Sequence, residues 1–317
     1  MTRFVLGRLL LLAVGLAVAS VLVFGVLRLL PGDVAQSIAG TNGTPAQVAA
    51  IRASLGLDRP LVVQYLDWAG GLLRLDLGDS LVTGTPVAGE VAEKLGVTLP
   101  LAGLSLVVGL LVGVPLGVLA AVRHRRASGV ALGVVAQVLA AVPVVWAGML
   151  LIALFGVTLG WLPTQGFPID GWDDPGRALR SLVLPALTIG LVEGAVLFRF
   201  TRSAAVGALD EDYVRAAAAK GMTTSRALVR HGLPNVALSI VSVLGLQVAG
   251  LVVGAVVVEQ LFSLPGLGRM LVADVGRRDL TKVQGELMTL TAIVLLVGLL
   301  VDVLHRRLDP RLREVGS

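Results

Sequence analysis

TLPLAGLSLVVGLLVGVPLGVLAAV, residues 98–122, carries no charged side chain. About 20 consecutive apolar residues cross the hydrocarbon core of a bilayer as a helix, and this run exceeds that length. Its Leu, Val, Ala and Gly follow one another without the dyad alternation of a barrel strand, so it reads as a transmembrane helix. Working outward, five further runs of this kind lie at roughly 9–30, 130–157, 181–198, 236–258 and 287–305. The whole chain agrees: 56% of residues are hydrophobic, 15% are charged and the mean hydropathy is +0.88, which demands lipid as solvent. The predicted fold class is an all-α membrane protein with six transmembrane helices.

Lys and Arg fix the expected orientation, because cytoplasmic segments carry an excess of them. With the N-terminus inside, the inner segments hold 15 (Arg3 and Arg8; Arg123, Arg125 and Arg126; six from Arg199 to Arg230; four from Arg306 to Arg313) and the longer outer segments hold 10. Acidic residues run the other way, 14 outside against 5 inside. Both termini are therefore expected in the cytoplasm. The net charge of +5 belongs to these span-flanking cations, so no nucleic-acid partner is expected. With no cysteine, disulfides and thiol chemistry are excluded.

Arg3 and Arg8 before an apolar run also suit a signal peptide, and Ala17-Val18-Ala19 resembles a cleavage site. Apolar sequence continues to Leu30, however, so a span is expected here. Residues 31–97 are too polar to cross and are expected to form an extracytoplasmic helical insertion, with Asp33 capping a short helix and helical apolar spacing from Val48 to Leu57. Gly109, Gly113 and Gly117, and likewise Gly250 and Gly254, recur every four residues and suit close helix packing. Pro115 and Pro143 fall inside spans and are candidate kinks.

Between spans four and five lies a cytoplasmic loop, 199–235, and within it DYVRAAAAKGMTTSRALVRHGLPN, Asp212–Asn235. Acids at its start and Lys220 at its end suit the macrodipole of a short helix. Gly221 is expected to end that helix in a turn, Thr223 or Thr224 to cap a second, and Leu233-Pro234 to stop the second before span five. Ala216–Ala219 keep the first helix thin enough for close approach by another protein. A basic loop lying on anionic membrane lipid is the other physical reading.

The spacing Arg215-Ala216-Ala217, three residues, Gly221, then Leu233-Pro234 resembles the EAA loop of ABC-importer permeases. Arg215 in place of glutamate and His231 at an apolar position depart from the general pattern. Asp-Tyr-Val-Arg with Ala-Lys-Gly nevertheless looks like the dipeptide, oligopeptide and nickel permease family. Further segments agree in order: Leu30-Pro31-Gly32-Asp33, Leu55-Gly56-Leu57-Asp58-Arg59-Pro60 with Gln64, Tyr65 and Trp68, Asp76-Leu77-Gly78-Asp79-Ser80, Val258-Glu259, Phe262, and Pro265-Gly266-Leu267-Gly268. The resemblance implies the type I ABC importer permease fold and a non-catalytic pore subunit. It also implies a second homologous permease, two cytosolic ATPase subunits that use ATP and Mg, and an extracytoplasmic substrate-binding protein. The long segment after span one looks like that of the first permease of such a pair. By the same resemblance the loop is the coupling helix: Ala216, Ala217 and Gly221 give close approach and a turn, Tyr213, Arg215 and Lys220 give side-chain contacts, and Leu233-Pro234 closes the motif.

No G-x-x-x-x-G-K-[ST] sequence occurs, so the chain is not expected to bind or hydrolyse ATP itself. His124, His231 and His305 lack metal-ligand spacing, and no cofactor or metal is expected on this chain. Glu193 lies inside span four, where a carboxylate lines a water-filled pathway, pairs with a cation of the other permease, or packs protonated. Arg28 and Asp302 near span ends are read as snorkelling. A secondary transporter would need more intramembrane ionisable residues than Glu193. Peptides are the expected cargo, with nickel, a metal chelate or glutathione as alternatives on the same architecture.

Overall fold

The computed structural model describes residues 2–29, 34–40 and 42–308. Asp33 and the Leu30–Asp33 motif lie outside the described residues, as do Arg311 and Arg313. The helices are α1 (Thr2–Leu29), α2 (Val34–Ala39), α3 (Pro45–Ser54), α4 (Leu61–Leu72), α5 (Val87–Val122), α6 (Ala127–Ala141), α7 (Val144–Leu151), α8 (Pro175–Leu209), α9 (Asp212–Ala219), α10 (Thr224–Ala227), α11 (Leu233–Leu261), α12 (Leu267–Arg277) and α13 (Leu280–Leu308). Among the described residues the only extended pairing is an isolated bridge, Asp79 to Pro86.

Five helices are long and apolar enough to cross a membrane: Arg3–Leu29, Val87–Val122, Pro175–Leu209, Thr224–Leu261 and Leu280–Leu308. The third expected span differs, being two helical pieces, Ala127–Ala141 and Val144–Thr158, bent by 104°. Pro143 is the cause. It lacks an N–H and forces Val142 into an extended conformation, φ −73° and ψ 124°. Pro100 and Pro115 lie within α5 and Pro185 within α8, and those helices run on through them. Span two also starts earlier than its apolar run, at Val87, so the last residues of the 31–97 segment are helical and belong to α5.

The fold divides into two compact units, Met1–Thr98 with Pro265–Leu296, and Leu99–Leu264 with Val297–Ser317. In the first unit, α3 begins with a capping box: Thr44 Oγ1 accepts from Gln47 N, and Gln47 Oε1 accepts from Thr44 N. Gly285 of α13 lets the turn before α5 approach, since a Cβ there would stand 3.0 Å from Val87 and 3.2 Å from Leu77. Polar groups fill this junction. Lys282 is 4% exposed, with Nζ 2.6 Å from Glu90 Oε2 and 3.9 Å from Asp274 Oδ2. Asp279, wholly buried, accepts from Ser80 Oγ, Leu81 N and Lys282 N. Glu286 is also wholly buried, one turn after Lys282.

In the second unit α8 is central, with 67% of its most apolar window buried against 33% for α5. Glycines set the α5–α8 distance. A Cβ on Gly113 would fall 2.4 Å from the Gly194 carbonyl oxygen, one on Gly190 would fall 2.6 Å from Val108 Cβ, and one on Gly117 2.8 Å from Thr201 Cβ. Around this seam Leu197, Ala205 and Ala208 of α8 pack with Ala121, Leu228, Val236 and Ile240. Before α8, Asp174 caps the helix by accepting from Arg177 N. The Arg177 guanidinium bonded to Asp174 holds its carboxyl below the usual carboxylate value.

Candidate functional site

α8 ends at Leu209, and the chain folds at once into a small helical hairpin within the second unit. Glu211 precedes α9 without a side-chain cap bond; Gly221 then turns the chain at φ +96°, a conformation that L side chains rarely adopt. Thr223 Oγ1 accepts from Arg226 N and starts α10. The hairpin has its own apolar centre in Val214, Ala217 and Ala227, with Leu209, Ala218 and Met222 packed against it.

That packing divides the expected site residues by face. Ala217 points inward, 8% exposed, and so is spent on holding α9 down. Tyr213, Arg215, Ala216, Lys220 and Gly221 are all exposed. Arg215 donates to Asp212 one turn back, but with side chains 66% and 99% exposed this pair is worth well under about 1 kcal/mol and leaves the guanidinium available. Tyr213 is held differently, its hydroxyl accepting from Asn235 Nδ2 at 2.8 Å, which ties α9 to the first turn of α11. Asn235 was not singled out from sequence; a polar residue directly after Leu-Pro at the head of an apolar run is the signal available there.

Leu233-Pro234 does not stop the second helix, contrary to expectation. A π-helical turn over Leu228–Gly232 joins α10 to α11, and Thr224–Leu261 forms one helical run. A wider turn ahead of proline accommodates the ring and its missing N–H, so the proline sits in the first turn of α11. Glu193, in α8, is half-buried against the notch left by Gly250, where a Cβ would be 2.9 Å from its Oε1. Gln247 donates to its backbone carbonyl, and its carboxylate has no hydrogen-bond partner among the described residues. Among the described residues no group of His, Asp or Glu is arranged to hold a metal ion.

Two adjoining family matches cover nearly the whole chain. Residues 1–102 match the N-terminal part of the binding-protein-dependent transport system membrane components, and residues 113–314 match the binding-protein-dependent transport system inner membrane component. The chain belongs to this family. It is thus a multi-pass protein of the cytoplasmic membrane, a permease of the ABC-importer class with the type I fold, and a pore subunit rather than an enzyme. Binding-protein dependence means that an external substrate-binding protein and ATPase subunits work with this permease. Among relatives, a protein of Brucella abortus strain 2308 named as a peptide transport system permease is 40% identical over 99% of both chains. The glutathione transport system permease protein GsiC of Salmonella typhimurium strain LT2 is also 40% identical over 99% of both.

Proposed function

We propose that this permease is the first of two homologous pore subunits of a peptide importer, and that the hairpin from Asp212 to Asn235 is where ATPase motion enters the membrane. The exposed set of Tyr213, Arg215, Ala216, Lys220 and Gly221 on a hairpin with its own packed centre carries this reading. It has the small residues for close approach and the cations for side-chain contact, and Leu233-Pro234 anchors it to α11. ATP and Mg act on the partner subunits. For the hairpin to transmit work, the ATPase must bind it differently in the two states of its cycle.

Gly221→Val tests this. A Cβ at Gly221 meets open space, so the change acts through backbone strain alone. About 1–2 kcal/mol of strain at positive φ is expected to reduce uptake roughly tenfold and to weaken co-purification of the ATPase subunits. Asn, which tolerates positive φ better, is expected to retain more activity. Unchanged uptake with valine would overturn the reading.

Glutathione is the second reading for cargo, favoured by the equal identity to GsiC. Uptake of labelled dipeptides and of labelled glutathione, in a strain lacking the gene and after its return, separates the two. We assign Glu193 to the pathway, where its carboxylate favours cationic cargo. Glu193→Gln is then expected to lower uptake of cationic peptides more than that of neutral ones, and an equal loss for both would remove the selectivity role.

A further inference from the structure

At the C-terminal end of α1, within the first unit, a cavity of about 200 Å³ is lined by Arg28, Arg59, Gln64, Asp67, Trp68 and Thr281, among others. Three buried polar atoms on its lining residues have no hydrogen-bond partner: Arg28 Nε, Trp68 Nε1 and Gln64 Oε1. Buried polar groups are almost always paired, so three orphans around one cavity call for an occupant. The assignment of the Gln64 oxygen is firm, because Nε2 gives its hydrogens to the Leu57 and Arg59 carbonyls at 3.1 and 2.7 Å. Gln64 is only 7% exposed.

The site is built, not loose. Ser20 Oγ and Tyr65 Oη lie 2.9 Å apart, joining α1 to α4. The Phe24 ring packs on Tyr65 and Trp68, with centroids 5.5 and 5.9 Å away, and carries the Arg28 guanidinium on its face at 5.1 Å. Two N–H donors, one on a permanent cation, favour an anionic acceptor in the ligand. The single acceptor, Gln64 Oε1, requires a donor on the same ligand.

The cavity's depth in the membrane indicates which ligand. Arg8 and Arg28 each cap a phenylalanine one turn back, Phe4 and Phe24. They are twenty residues apart on one helix, which at 1.5 Å per residue is about 30 Å, the hydrocarbon thickness of a bilayer. Arg28 therefore lies at headgroup level, among the aromatic residues typical of that depth. Beside it α4 leaves Leu61, Val62 and Leu66 exposed, a surface for acyl chains.

We infer that this cavity holds the headgroup of one phospholipid, whose phosphodiester accepts from Arg28 and Trp68 and whose ethanolamine or glycerol group donates to Gln64. The test is lipid retention by the full importer, chain and partner subunits together, extracted in mild detergent, washed, and weighed by native mass spectrometry. One retained phosphatidylethanolamine or phosphatidylglycerol is expected per copy of this chain. Arg28→Met is expected to weaken its retention at least about tenfold, and Trp68→Phe, which keeps the ring, several-fold. On reloading, phosphatidylcholine, whose quaternary ammonium has no N–H, should be held less tightly. Equal retention by wild type and both variants would overturn the inference, as would an empty wild type after washing, which would mean that water fills the cavity. Millimolar inorganic phosphate raising the thermal midpoint of the delipidated protein as much as lipid does would also overturn it, in favour of a free anion.

Discussion

Lys282→Met is expected to destabilise the protein by about 3–5 kcal/mol, because it removes the buried cation that faces the buried carboxylates of Asp274 and Asp279 and leaves them uncompensated. Lys282 is almost wholly buried, 2.6 Å from Glu90 Oε2, with Asp274, Asp279 and Glu286 buried around it. Met fills a similar volume, so the loss isolates the charge. Lys94 is the comparison: its Nζ is 2.7 Å from a carboxylate, that of Glu93, but the Lys94 and Glu93 side chains are 25% and 73% exposed, against 5% and 32% for Lys282 and Glu90. Lys94→Met should therefore cost less than about 1 kcal/mol. Thermal unfolding in detergent should show a midpoint at least about 5 °C lower for Lys282→Met, and little change for Lys94→Met. Adding Glu90→Gln to Lys282→Met should recover part of the loss, a coupling that a double-mutant cycle reads directly. Two lysine variants of equal stability would refute the argument.

Gly113→Val is expected to be comparably damaging, for a steric reason. The new Cβ would lie 2.4 Å from the Gly194 carbonyl oxygen and 3.0 Å from Leu197 Cβ, so the obstacle is backbone and α5 must move off α8. Overpacking of this kind costs about 1–3 kcal/mol or more, and here a β-branched side chain meets a carbonyl that cannot rotate away. Gly103→Val, on the same helix with nothing within 4 Å of its Cβ, controls for propensity and expression. The Gly113 variant should accumulate poorly in membranes, with a lowered unfolding midpoint, while the Gly103 variant behaves as wild type. If both accumulate alike, the seam does not set helix spacing.

The spans and the glycine seam were legible in sequence because both are written in local periodicity. Apolar length decides a crossing, and Gly109, Gly113 and Gly117 recur on one helix face whatever surrounds them. Other features depended on context that spacing does not carry. Lys282 and Glu286 fall outside the expected sixth span, 287–305, yet they lie within α13, where Lys282 meets Asp274 of the preceding helix and Glu90 from distant sequence. Pro143 breaks its helix whereas Pro100, Pro115 and Pro185 do not. α12 was missed as a helix, although Leu267, Leu271 and Asp274 recur at helical spacing on the side that carries its buried residues. In the hairpin, the turn at Gly221 and the exposure of Arg215 follow the sequence reading, while the inward direction of Ala217 required the fold of α9 onto α10.

The π-helical turn at Leu228–Gly232 has a mechanical consequence. Had Leu233-Pro234 ended the helix, a flexible joint would lie between the hairpin and the membrane, and displacement at one side would dissipate there. Instead Thr224–Leu261 is one continuous helical run of 38 residues, about 57 Å at 1.5 Å per residue. A tilt of about ten degrees pivoting at one end sweeps the other through about 10 Å on that length. Under the proposed coupling role, a helix continuous from Thr224 to Leu261 would carry displacement of the hairpin into the membrane.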